Sequence, residues 1–458
     1  MTESSARQHP QVVLFDRHVN PAFVRLLGTL GYGRIFTRAR GTRMWDHEGR
    51  EYLDMLSAFG STSLGNNPEE LTSAMKSFLD DDAVNLVHIG PQVHAAELAR
   101  DLAALVGGDL EVSMFSNSGG EALEAAMKLA RAATGRTRIV YAKGGYHGNG
   151  LGPLSIMGSG RMRDVFEPLV PDCVEVPWND AGAIDVALRE GKCAAVILEP
   201  IQIEAGVLLP KAGYLREVQA MCKKRGALFV LDEVQTGLGR TGSLFAYERE
   251  GFVPDVLTLG KALGGGMVPI SATLASREVW NRAFGTAEKF DLHGTTYSGN
   301  AFACRTARTV LHLIKEKELP LRAEKLGALF LEALSDRVGK HPFVRDVRGR
   351  GLILAVELGA EARTGVGKLL SGVVDTLSRK VFGQWLAVRL LEKNIVCQPA
   401  SQQWNVLRLE PALTVTEAEI YRTVEAIGDI LAEYTELIPL LRDVGQRLGK
   451  QAMSGFSF

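Results

Sequence analysis

The feature that most constrains what this chain can fold into is a series of short, unbroken apolar runs, each closing on polar or glycine-rich residues. VSMFSNSGG (112–120), RIVYAKGGYHG (138–148), CAAVILEPI (193–201), GALFVLDEVQTG (226–237) and DVLTLGKALGGG (255–266) share this form. A strand with one wet face alternates apolar and polar residues, whereas a strand buried on both faces does not. Runs of this kind therefore predict a parallel sheet covered by helices on both sides. The stretches between them fit. YLREVQAMCKKRG (214–226) places apolar residues at helical spacing and offers Gly226 as a stop. Residues 112–133 pass from a strand through Asn117-Ser118-Gly119-Gly120 into a helix. This alternation predicts a doubly wound α/β domain over 71–330. In such sheets ligands gather at the carboxyl ends of the strands, so the chemistry is expected among the closing residues.

Both ends of the chain have a different texture. Residues 331–458 offer one strand-like run at 346–358, a long helical stretch near 368–393, a strand at 405–411 and a last helix from about 416. They predict a smaller α+β domain. Residues 1–70 are expected to join it, because WDHEGREYLDML (45–56) reads as a hairpin turning at Gly49. Hydrophobic residues at 46% and charged residues at 23% match an ordinary folded chain. Lys plus Arg number 52 against 53 Asp plus Glu, which provides no global field for nucleic acid or an anionic membrane. Small molecules or other subunits are the expected partners. Five scattered cysteines, a polar N-terminus and the lack of a long uncharged apolar run predict reduced thiols, no structural metal and a soluble cytoplasmic protein.

Four strand ends carry candidate chemistry. Ser118-Gly119-Gly120 opens a helix, where backbone N–H groups and the helix dipole suit a phosphate, although a simple cap reads the same way. Asp232 and Glu233 close the 226–232 run, either as cleft carboxylates or as caps. Lys261 closes the next run against Gly264-Gly265-Gly266; an amine desolvated there can lose its proton and attack a carbonyl. Tyr146-His147-Gly148 could cover a planar ligand. Gly237-Leu238-Gly239-Arg240-Thr241-Gly242 is formally G-x-G-x-x-G, with Asp255 as a possible ribose acid, but no helical pattern opens at Gly242. Neither a P-loop nor an H-E-x-x-H sequence occurs.

Taken together, FVLDEVQTGLGRTG (229–242), TLGKALGGGMVPISA (258–272), HGTTYSGN (293–300), NSGGEA (117–122), GGYHG (144–148) and EPIQIEAG (199–206) resemble the class III aminotransferases, pyridoxal phosphate (PLP) enzymes of fold type I. The resemblance runs from about residue 20 to 435. It implies a large α/β domain with a mostly parallel seven-stranded sheet, and it implies roles position by position. Lys261 matches the lysine that bonds PLP as a Schiff base, and Asp232 the aspartate that pairs with the ring nitrogen. Val234 and Tyr146 would cover the two ring faces, and Gln235 would bond the 3′-oxygen. Glu199 and His147 would stand near Asp232. Ser118, Gly119 and Gly120 would form the phosphate cup. Thr296 would reach the phosphate of a neighbouring subunit, which implies a homodimer.

The same resemblance implies ping-pong transamination. Arg408 would grip the carboxylate of a keto acid, and Glu204 would pair with it when an amine lacking that carboxylate is bound. Phe59 and Asn149 stand where the ornithine branch holds a carboxylate, and neither can pair with one. SAFGSTSLGNNP (57–68), YHGNGLGPLS (146–155) and LRLEPALT (407–414) resemble the putrescine branch. The expected donor is a terminal primary amine, with 2-oxoglutarate or pyruvate as acceptor. Asn66-Asn67 and extra residues near 362–385 depart from the family pattern. An aminomutase or a decarboxylase would share the cofactor residues, and a cofactor-less scaffold would be expected to lack Lys261 or Asp232.

Overall fold

The structure, a computed structural model, describes residues 9–29, 32–158, 160–359 and 371–452. Its centre is a seven-stranded sheet of β1 (Val112–Ser116), β2 (Arg138–Ala142), β3 (Cys173–Val176), β4 (Cys193–Leu198), β5 (Leu228–Asp232), β6 (Val256–Leu259) and β7 (Ser271–Ala275). The spatial order is β1-β7-β6-β5-β4-β2-β3. The pairs among β2 to β6 are parallel. β7 runs antiparallel to both β1 and β6. Every residue of β4, β5, β6 and β7 is buried, which is why the central runs lack alternation.

Two strands of this sheet escaped the reading of the sequence. β3 is an edge strand of which only Val176 is buried. β7 reads Ser-Ala-Thr-Leu-Ala, too polar for an apolar run, and yet it is wholly buried. Its hydroxyls explain this, since Ser271 Oγ donates to the Ser118 carbonyl at 2.7 Å and Thr273 Oγ1 to the Ala122 carbonyl at 2.8 Å. A buried hydroxyl that is hydrogen-bonded loses most of its desolvation penalty. These two bonds also tie β7 to the start of the helix Gly119–Thr134, whose alanine-rich buried face lies on the sheet.

Around this sheet lie two four-stranded sheets. In one, Arg43–Asp46 and Glu51–Asp54 form the expected hairpin, with Gly49 at its turn and Asp46 Oδ1 accepting from the Glu48 and Arg50 N–H groups. Ile395–Val396 adds to Glu51–Asp54 in parallel, so chain segments far apart in sequence share one sheet. The other sheet is Val344–Arg350, Ile353–Leu358, Gln403–Leu409 and Gln398–Ala400.

The single strand expected at 346–358 is a hairpin, broken at Gly351. Gly351 has φ +55°, and a Cβ there would lie 2.4 Å from the Thr241 carbonyl carbon and 2.5 Å from the Arg240 oxygen. Both the left-handed backbone and the contact demand glycine. Gly351→Ala is expected to destabilise the protein by about 3 kcal/mol, combining backbone strain with overpacking. A urea midpoint equal to wild type would contradict this account.

The helix expected near 368–393 is Ser371–Glu392. The one expected from 416 is Glu417–Ala432, opened by a Thr416–Glu419 capping box, and a separate helix Leu437–Ala452 follows. Of the extra residues near 362–385, those up to 370 lie outside the described residues. Among the described residues no helix is long and apolar enough to cross a membrane, and no cluster of metal-ligating side chains occurs. All five cysteines are free thiols.

Candidate active site

The carboxyl ends of β1, β2, β4, β5 and β6 open on one cavity of about 500 Å³. Ser118, Gly119, Gly120, Tyr146, His147, Glu199, Asp232, Val234, Gln235 and Lys261 line it, together with Glu121, Glu124, Gly148 and Asn149. Twelve of the residues singled out in the sequence, Gly148 and Asn149 among them, thus meet in one place.

Asp232 is buried at the end of β5. Its Oδ2 lies 2.8 Å from His147 Nδ1, while Oδ1 accepts from the Val234 N–H at 3.0 Å and from Thr258 Oγ1 at 3.3 Å. Both oxygens of this buried carboxyl are therefore engaged, as burial of a polar group requires. Glu199, at the end of β4, accepts from the Tyr146 N–H at 2.9 Å. Burial, reinforced by the negative charge of Asp232, pushes its carboxyl well above the usual range. Glu233, next in the chain, turns the other way and accepts from the Ala246 and Tyr247 N–H groups. Burial raises it to about 7, and it serves as a backbone clasp.

Lys261 begins the turn after β6 with φ +40°, an unfavourable backbone for a residue with a side chain. The Leu263 N–H to Gly260 carbonyl bond at 2.9 Å helps to hold the turn. Its Nζ donates to Gln235 Oε1, and Gln235 Nε2 donates to both oxygens of Glu410 at 2.9 and 3.1 Å. Burial lowers the pKa of the Lys261 amine, and the nearby charges of Glu204, Glu410 and Asp232 only partly restore it. The neutral, nucleophilic form is therefore available at lower pH than for an exposed lysine.

Beyond Lys261 lies a charged cluster. Arg408, fully buried on the Gln403–Leu409 strand, pairs with Glu204 and has Glu410 Oε2 at 3.4 Å from its Nε. Its Nη2 is buried without a partner. Burial would raise Glu204, but Arg408 and Lys261 outweigh it and hold the carboxyl below its ordinary value. The Phe59 ring lies over the Arg408 guanidinium at 4.9 Å. Ser57, Ala58 and Phe59 are all left-handed, at φ +49°, +48° and +59°, and Asp54 Oδ1 secures that turn by accepting from the Leu56 and Ser57 N–H groups.

The structure also places Thr296, Asn149 and the 237–242 glycines. Thr296 is exposed and lies outside the cavity of its own chain, although its neighbour Thr295 accepts from Asn117 Nδ2 at 2.9 Å. Asn149 accepts from the Tyr146 hydroxyl at 3.4 Å. The 237–242 glycines form a turn that leads only to a short 3-10 helix, with Arg240 donating to the Leu352 and Pro411 carbonyls, so no helix N-terminus awaits a dinucleotide there. Two contributors were missed in the sequence. Glu410 was legible, since it stands two residues from Arg408 and such residues share a strand face. Thr258 was not, because only the β5–β6 register brings it opposite Asp232.

The cavity fits a phosphorylated planar ring. A Cβ on Gly119 would sit 2.6 Å from Val234 Cγ1, and one on Gly148 would sit 2.7 Å from Gly120 Cα, so the glycines form a bare-backbone cup at a helix N-terminus. Asp232 and Lys261 line the same cavity.

This sheet order with an aspartate closing β5 and a lysine after β6 is the architecture of the fold type I PLP-dependent transferases. The family described as aminotransferase class-III matches residues 30–431, and the chain belongs to that family. Aminotransferase PigE of Serratia sp. is 37% identical over 456 residues, covering 93% of this chain and 53% of that protein, so the chain spans about half the length of this curated relative. The ornithine aminotransferase of Toxoplasma gondii superposes with a TM-score of 0.81 at 28% identity, over 94% of this chain and 96% of that one. An amine transaminase from an uncultivated Pseudomonas species, solved in its PLP-bound form, gives 0.78 at 27% identity, over 87% and 95%. The family thus implies PLP as the cofactor.

Proposed function

We propose that this chain is an aminotransferase that moves the amino group of a terminal primary amine, a diamine or another ω-amino compound, to a keto acid such as 2-oxoglutarate or pyruvate. The observation that carries the reading is the Lys261 amine, desolvated in the same cavity as the buried, hydrogen-bonded Asp232 and a glycine cup.

When bound, PLP supplies an aldehyde that condenses with amines and a ring that accepts the electron pair left when a substrate C–H proton departs. Asp232, oriented by His147 and Thr258, would hold the ring nitrogen in its protonated form. Val234 and Tyr146 would cover the ring, Gln235 would bond its 3′-oxygen, and the backbone of Ser118, Gly119 and Gly120 would take the phosphate. Lys261 takes the proton from the substrate carbon and delivers it again as general acid and base. In the amine half-reaction Glu204 stays on Arg408 and neutralises it. In the keto-acid half-reaction Arg408 takes the acceptor's carboxylate, a bidentate match for its fork, with the unpartnered Nη2 as one donor.

Phe59 and Asn149 support an amine donor without a distal carboxylate, since neither can form an ion pair with one. The exposed Phe290, Leu292 and Tyr297 support a homodimer in which the loop bearing Thr296 packs on a second copy. The free thiols agree with a reducing cytoplasmic setting.

The test is a half-reaction titration of the PLP-loaded protein with diamines, ω-amino acids and α-amino acids, followed by absorbance. Conversion of the visible band by terminal amines, reversed on adding the keto acid, is expected. A band that no amine converts would transfer the reading to an aminomutase or decarboxylase on the same fold.

A further inference from the structure

Glu410 is wholly buried, yet it reaches neither β5 nor β6 through the backbone. It follows the Gln403–Leu409 strand, and its N–H donates to the Met55 carbonyl at 2.8 Å. Its carboxylate accepts from Gln235 Nε2 with both oxygens and stands 3.4 Å from Arg408 Nε. The Arg240 guanidinium is close by: a Cβ on Gly60 would lie 3.7 Å from Glu410 Oε1 and 3.8 Å from Arg240 Nε. Both Glu410 oxygens thus face the Gln235 NH2 group as acceptors, with Arg408 Nε beside Oε2.

An amide side chain can present either end, and its surroundings decide which. With both Glu410 oxygens accepting on one side of Gln235, the NH2 group faces that side. The amide oxygen must then face the other way, where Lys261 Nζ donates to it. The NH2 group carries two hydrogens, and where the two Glu410 oxygens share one of them the other is free for a ligand oxygen.

We propose that Glu410 is a positioning residue that locks the Gln235 amide with its oxygen toward the Lys261 amine and its nitrogen available to the cofactor. The proposal rests on the aminotransferase reading above and names a residue through which that site is set. Glu410 acts through Gln235 and does not touch the reacting atoms, so its effect must vanish when the Gln235 amide is absent.

The experiment is a double-mutant cycle of Glu410→Asp and Gln235→Ala on the full chain. Its readouts are PLP affinity, from titration of the apoprotein followed by tryptophan fluorescence, and kcat and KM for the amine half-reaction. Glu410→Asp keeps the charge between the guanidiniums but withdraws the acceptor by one methylene. Each single variant is expected to bind PLP about tenfold more weakly, the size of one lost hydrogen bond, and to lower kcat more than it raises KM. The double variant should be no weaker than Gln235→Ala alone within about twofold, the signature of two residues in one network. Losses that multiply, or a Glu410→Asp protein with wild-type PLP affinity, would overturn the proposal. Should Glu410→Asp fail to fold, Glu410→Gln in the same cycle is expected to give the same coincidence, because its amide no longer dictates which end of Gln235 faces it. Wild-type protein that binds PLP but converts no amine would overturn the aminotransferase reading alone, leaving the affinity cycle to decide on Glu410.

Discussion

Lys261→Ala is expected to abolish transamination, with a loss of at least about 10⁴-fold in kcat, the upper range for a positioned general acid–base before any covalent role is counted. The amine sits at the head of a strained turn, with its proton affinity lowered by burial and its Nζ bonded to Gln235. Water that enters in its place has neither that geometry nor that basicity. The variant should also lose the visible absorbance that distinguishes lysine-bonded PLP from the free cofactor, while its thermal midpoint stays close to wild type, because an alanine there leaves no buried charge unpaired. Turnover within tenfold of wild type would remove Lys261 from the reaction.

Arg408→Ala is expected to separate the two half-reactions. The keto-acid half should fall about 10²-fold in kcat/KM, the worth of about 3 kcal/mol of charge-assisted hydrogen bonding to a carboxylate. The amine half should fall much less, because Arg408 is there already occupied by Glu204. The variant will also lose stability, since Glu204 and Glu410 lose the guanidinium they share, so rates need to be compared at a temperature where both proteins are folded. Arg408→Lys, which keeps the charge but not the planar fork, should fall between the two. Equal losses in both half-reactions would exclude Arg408 as the acceptor's clamp.

Much of this architecture was legible in the sequence, for reasons that can be named. The strands at 193–198, 228–232 and 256–259 are buried on both faces, and two-sided burial leaves a continuous apolar signature. Their ends are marked by Asp232 and Lys261, polar groups placed where an apolar run meets a cleft. The strand Ser271–Ala275 leaves no such mark. Its small hydroxyl residues are as deeply buried as any valine, and only the helix carbonyls that they bond make that burial tolerable. The 346–358 run shows a related loss, because a left-handed glycine turned it back on itself where a propensity reading continues straight.

Local order in the chain therefore determined which segments become buried strands and which of them end in polar residues that line the cavity. Hydrophobic period, caps and glycines act over a few residues, and so they are written in neighbouring letters. The tertiary structure alone decided that Glu410 meets Gln235 across 175 residues of chain, that Thr258 stands opposite Asp232, and that Phe59 covers Arg408 from a left-handed turn. Those contacts depend on strand register, on the closure of one sheet against another and on which face of a buried cluster is left open. These properties arise only when distant segments pack, where geometry rather than neighbouring sequence selects the partner.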